Sequence, residues 1–224
     1  MQPLTEHQAQ PIDIIFEDEH LLILNKPSGL LSVPGKTEPF CLTAQALRYN
    51  ANSRVVHRLD MSTSGLMIFA KNHISQKAMG QCFEKRLVKK TYDAMIHHAP
   101  SQHEGVIERP LICDWPNRPK QKVCFETGKA ATTHYRVIRT LAHLQASVVR
   151  LTPVTGRSHQ LRVHCLALGC PILGDQLYNL QGSHLRAPRL MLHAAQLHFE
   201  HPITAQPLHI SKPSQFCRIP LTAV

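Results

Sequence analysis

The chain has 224 residues, enough to bury a core, and its 43% apolar content without any bilayer-length apolar run excludes a disordered tail and a helical membrane protein. Lys and Arg outnumber Asp and Glu by 25 to 15, a formal net charge of +10 that points to a polyanionic partner, nucleic acid first. Seven Cys with no C-x-x-C pair, and an N-terminus MQPLTEHQAQP without a signal-peptide profile, fit reduced thiols in a cytoplasmic protein.

The first eleven residues are polar and are expected to form a flexible tail, after which IDIIFEDEHLLILNKP reads as two short strands around a turn. Pro27, Gly29, Pro34 and Gly35 then break the pattern into a loop. Leu42, Gln45, Ala46 and Tyr49 have helical spacing, while RVVH and GLMIFA read as strands bridged by DMSTS, which places Asp60 at a strand end or in the connecting loop. Ile74, Ala78, Met79, Cys82 and Phe83 predict a helix stripe that runs into a basic patch of Lys85, Arg86, Lys89 and Lys90. KKTYDAMIHH returns as a strand, RPLICDWPNRPKQKV is Pro-punctuated and basic, and THYRVIRT with LQASVVRLT predicts a strand pair. SHQLRVHCLALG predicts a helix with Ser158 as its N-cap and Gly169 as its stop. RLMLHAAQLHF and PLHISKP complete the chain. Strands outnumber helices without regular alternation, so an α+β fold is expected: a mixed, largely antiparallel sheet flanked by helices and loops.

Several familiar chemistries fail on spacing. GLLSVPGKT, from Gly29 to Thr37, imitates a phosphate-binding loop, but five residues rather than four separate its glycines, and Pro34 removes a backbone N–H from the cradle. His159 with His164, and His193 with His198, lie five apart and do not share a helical face as metal ligands would. No metal site is expected. The remaining charged constellations are Arg58 with Asp60, Tyr92 behind Lys89 and Lys90, and Arg157, His159 and Arg162. Each alone has an ordinary explanation, since an Asp before hydroxyl residues caps turns and an Arg on a helix faces water. Trp115, Arg118, Lys120 and Lys122 combine an aromatic ring with three cations, a composition suited to RNA loops; the competing reading is a Pro-ordered surface loop with a packed Trp.

HRLDMSTSG, KKTY and TGRSHQLRVH, in this order, resemble the pseudouridine synthases of the RluA family, over about Ile12 to Pro213. PLICDWPNRPKQKVCFETGK narrows the resemblance to members acting on 23S ribosomal RNA and a tRNA anticodon stem-loop, and LAHLQAS is the visible departure. The resemblance implies the pseudouridine synthase catalytic fold over residues 12–213, with tails at 1–11 and 214–224 and no S4 domain, so that the core itself binds RNA. It implies a monomer that needs no cofactor. It makes Asp60 the catalytic carboxylate, Tyr92 the residue stacking on the target base, Arg162 the basic partner of Asp60, and Arg58 the side chain filling the place of the flipped uridine. Arg157, Trp115, Arg118, Lys120 and Lys122 are expected to contact RNA.

One carboxylate suffices for such a reaction because no water is activated and nothing leaves. Attack at C1′ and assisted elimination at the ribose both remain open. Two other classes compete: a non-catalytic RNA-binding assembly factor in which Asp60 caps a turn, and a metal-dependent nuclease, which would need a second acidic ligand at sensible spacing.

Overall fold

LLIL and LMIFA are continuous apolar runs rather than alternating ones, and strands of that kind are stable only when both faces are covered. In the computed structural model, which describes residues 11–180 and 182–218, they form β2 (Leu21–Lys26) and β4 (Ser64–Ala70), and every residue of β4 is buried. Residues 1–10 and 219–224 of the expected tails lie outside the described residues. The chain divides into two compact units, Met1–Lys89 with Ala194–Lys212 and Lys90–His193 with Pro213–Val224.

In the first unit β1 (Ile14–Glu17) pairs with β2, and β2 runs antiparallel to β4 from Leu21 opposite Ala70 to Lys26 opposite Gly65. The expected strand RVVH is reduced to β3 (Arg54–Val55), which pairs with the end of β4. On its other side β4 meets β11 (Leu192–Glu200), which pairs with β12 (Pro207–Ser211). Gly65 is required there: its φ is +113°, and a Cβ would come within 2.3 Å of the Ala194 carbonyl oxygen. Helix α1 (Leu42–Tyr49) matches its expected span. Helix α2 (His73–Glu84) is capped by the Asn72 side chain, which accepts from Ser75 N–H. Its inward face runs through Ser75, Met79, Cys82 and Phe83, so Ile74, expected in the stripe, instead faces solvent at the first turn. Met79 packs with Leu21, Ile23, Leu66, Ile68, Leu197 and Phe199 to form this unit's core.

The second unit carries the sheet order β5 (Lys89–His97), β10 (Ala146–Pro153), β9 (Thr132–Leu141), β6 (Glu104–Glu108), with antiparallel pairs throughout. The predicted pairing of THYRVIRT with LQASVVRLT is observed; β6, short and flanked by acidic residues, was not foreseen. On β9 Tyr135 and Val137 point inward while His134, Arg136 and Ile138 are exposed, the alternation of a one-sided strand. Helix α3 (Gln160–Ala167) lays Leu161 and Cys165 on Ala94, Val149 and Leu151 of this sheet. Its N-cap is His159 rather than Ser158, because the backbone enters the helix through a left-handed residue at φ 54°. The Gln160 side chain does the local bonding instead, its Oε1 accepting from Arg157 N–H at 3.0 Å and from the Thr155 hydroxyl at 2.7 Å. The stop at Gly169 holds: its φ is +77°, and Cys170 N–H reaches back to the Cys165 carbonyl. The basic stretch read as a loop is a hairpin of β7 (Leu111–Cys113) and β8 (Gln121–Val123) with a short 3-10 turn at Trp115–Asn117. Ser214 and Phe216, in the stretch expected as a tail, are buried within the second unit. The α+β expectation is met.

Candidate active site

In the first unit Asp60 and Arg58 lie on the loop entering β4, with Arg58 exposed and Asp60 partly so. The backbone on both sides of Asp60 is held by the segment that follows β2. Before it, the Ser32 hydroxyl donates to the Leu59 carbonyl at 2.6 Å and accepts from Leu59 N–H at 3.0 Å. After it, Gly29 N–H and Lys26 Nζ both donate to the Met61 carbonyl at 2.9 Å, and the Ser28 hydroxyl donates to the Ser62 carbonyl at 2.7 Å. The loop also closes on itself, with Thr63 N–H donating to the Asp60 carbonyl. His57 Nε2 accepts from Ile68 N–H, which puts the ring proton on Nδ1. Backbone bonds at Leu59, Met61 and Ser62, on either side of Asp60, fix the position from which its side chain departs.

Lys26 was missed by sequence reasoning. Its side chain is fully buried, and besides Met61 its ammonium donates to the carbonyls of Pro27 at 2.9 Å and Leu30 at 2.6 Å, using all three of its protons. Burial pushes its pKa down to about 7, against the opposing pull of the Asp60 charge. A lysine that loses its proton earlier in the folded state binds fewer protons there than in the unfolded chain between pH about 7 and 10.5, so this group makes stability rise with pH across that window. Lys26→Met should remove that rise. Urea midpoints of the two proteins at pH 7 and pH 9 check it: the wild type should gain more from the pH increase than the variant does.

The second unit positions Tyr92 and Arg162. Tyr92 lies on β5 opposite Leu151 and packs against the α3 core, half-buried. Lys90 precedes it on the strand, and burial lowers the pKa of its ammonium. Arg162 is buried and forms a two-point ion pair with Asp175, Nε to Oδ2 at 2.7 Å and Nη2 to Oδ1 at 2.6 Å. Asp175 also accepts from Leu177 N–H and Tyr178 N–H, and the Arg162 guanidinium carbon lies 5.0 Å from the Tyr178 ring centre. Neither partner was foreseen; the pairing spans a turn that carries no periodic signal.

The hairpin gathers the remaining basic residues. Trp115 is exposed, with the Arg118 guanidinium 4.2 Å from its ring centre, which replaces the packed-Trp alternative with an open aromatic and cationic surface. Lys122 pairs with Asp114 at 3.4 Å, and Lys120 leads into β8. At the base of the hairpin, exposed Phe125 carries Arg109 at 5.5 Å, a second such pair outside the sequence reading. Arg157 is exposed on the approach to α3, its Nε donating to the Ala130 carbonyl. Among the described residues, no three His, Cys, Asp or Glu side chains gather as a metal site, and no helix is long and apolar enough to cross a membrane.

The RNA pseudouridylate synthase family matches residues 20–167 of this chain. The dual-specificity RNA pseudouridine synthase RluA of Escherichia coli (strain K12) is 47% identical over 205 residues, covering 91% of this chain and 93% of that protein. Its counterpart from Vibrio cholerae is 52% identical over 193 residues, covering 85% and 78%. Among solved structures, human RNA pseudouridylate synthase domain containing 1 has a TM-score of 0.80 at 27% identity, covering 96% of this chain and 87% of that one. Human RNA pseudouridylate synthase domain containing 4 has a TM-score of 0.72 at 29% identity, covering 91% and 89%.

Proposed function

The chain belongs to the RNA pseudouridylate synthase family and isomerises uridine to pseudouridine in RNA, and from that premise we propose that its targets lie in 23S ribosomal RNA and a tRNA anticodon stem-loop. The reaction breaks the bond from N1 to C1′, turns the base in place and joins C1′ to C5; the C5 proton is released and N1 gains one, so no group is lost. Asp60 is the carboxylate that acts at the ribose. The observation that carries this role is the bonding of its loop at Leu59, Met61 and Ser62, which aims a single acid without help from a second.

Tyr92 supplies the flat face on which the flipped base rests, and Arg162 the positive charge that partners Asp60. Residues 12–213 make up the catalytic domain and carry the RNA-binding surface, with Arg157 and the Trp115, Arg118, Lys120 and Lys122 hairpin touching RNA. The protein acts as a cytoplasmic monomer without a cofactor. Tritium release from 5-tritiated uridine in two transcripts, a 23S fragment and an anticodon stem-loop, tests the substrate reading. Both should release tritium with EDTA present; release from one alone would remove the dual assignment.

Arg58 is exposed beside Asp60, where a planar cation can enter the stack left by an extruded uridine. Arg58→Ala should therefore lose most activity on a fully paired target and recover part of it when a mismatch loosens the target nucleotide. Equal loss on both substrates would assign Arg58 to another task.

A further inference from the structure

The hydroxyl of Tyr178 joins parts of the second unit that are distant in sequence. It accepts from the backbone N–H of Gln121, the first residue of β8, at 2.6 Å, and it lies 2.7 Å from His159 Nδ1 at the entrance to α3. The His159 tautomer sets which of these two atoms donates, and in either case the bond joins the Tyr178 hydroxyl to the start of α3. The backbone N–H of Tyr178 donates to Asp175 Oδ1 at 3.1 Å, and that oxygen also receives Arg162 Nη2 at 2.6 Å. The Tyr178 ring, 3% exposed, packs with Leu111, Ala131 and Val163 and stands against the Arg162 guanidinium. Packing alone asks only for a ring at this position. The hydroxyl adds a bond to the main chain of the hairpin and another to the helix that carries Arg162.

We propose that Tyr178 is a positioning residue for the isomerisation, tying the β7–β8 hairpin to Arg162 so that RNA held at the hairpin tip sets the guanidinium. This rests on the reading that the hairpin faces RNA and that Arg162 serves the reaction. The anchored atom is a backbone nitrogen directly after the tip segment that carries Trp115 and Arg118, so the tip cannot shift without loading the Tyr178 hydroxyl. A displaced charged group loses catalytic effect steeply with distance, which makes the connection matter for rate more than for affinity.

The test is a double-mutant cycle on the full chain with Tyr178→Phe, Trp115→Ala and both together, reading RNA affinity across salt and the single-turnover rate at saturating stem-loop RNA. Phe keeps the ring, and thermal unfolding verifies the fold. Tyr178→Phe should lower the saturating rate about tenfold while changing affinity less than about twofold. Trp115→Ala should weaken binding and lower the saturating rate about tenfold in the parent, but only about twofold in the Phe background, because the connection is already cut. Rate costs that simply multiply, or a Tyr178→Phe protein as fast as wild type, overturn the connection while leaving the hairpin's RNA contact intact. If Trp115→Ala changes neither affinity nor its salt dependence, the hairpin does not face RNA, and the connection falls with that reading.

Discussion

Asp60→Asn is expected to bind a stem-loop substrate within about twofold of wild type and to lose roughly 10⁴-fold or more in rate, the scale observed when a central catalytic group is removed. The amide keeps the shape of the side chain and removes the charge proposed to act at the ribose. The backbone bonds of Leu59, Met61 and Ser62 to Ser32, Lys26, Gly29 and Ser28 hold the loop from either side of the substituted position. Lys26 will sense the change through the lost negative charge nearby, which further favours its neutral form. Gel-shift binding with single-turnover tritium release separates the two effects. Loss of binding in step with rate would mean that Asp60 holds RNA rather than acting on it.

Arg162→Met should have two separable consequences. It strands Asp175, which is 1% exposed, without the guanidinium that meets both of its oxygens, and breaking a buried pair from one side costs about 3–5 kcal/mol. Adding Asp175→Leu removes the stranded charge, so the double variant should recover part of that stability, the remainder being lost with the acceptor of Leu177 N–H and Tyr178 N–H. Activity should not return with it, because the guanidinium proposed to serve the reaction is still missing. Denaturant unfolding and single-turnover rates on the three proteins check this together. A stable double variant with near wild-type rate would reduce the Arg162 and Asp175 pair to a structural role.

Sequence patterning anticipated the elements whose burial is written in composition. LLIL and LMIFA are strands because nothing polar interrupts them, and the helix containing Met79 follows from its spacing, although Ile74 shows that a first turn can present an apolar side chain to water. The Asp60 loop was legible as a motif, but its supports were not. A lysine at a strand end reads as solvent-facing, and only the fold shows that Lys26 turns inward onto three carbonyls. Asp175 and Tyr178 lie in a turn with no periodic signal, so their hold on Arg162 depends on chain folding rather than on spacing. Ser158 has the right chemistry for a cap, yet the chain enters α3 through His159 in a left-handed conformation that a local preference does not reveal. The strand Glu104–Glu108 was hidden for a related reason: its residues alternate only weakly, and its pairing partner on β9 supplies the order.

Mapping pseudouridines in cellular RNA tests the central claim most directly, using cells that lack this protein and the same cells complemented with wild type or with Asp60→Asn at matched abundance. Wild type should restore pseudouridine at positions in 23S ribosomal RNA and in tRNA anticodon stem-loops, and Asp60→Asn should restore none of them. Restoration of those positions by the Asp60→Asn protein would contradict the assignment of the chemistry to this carboxylate.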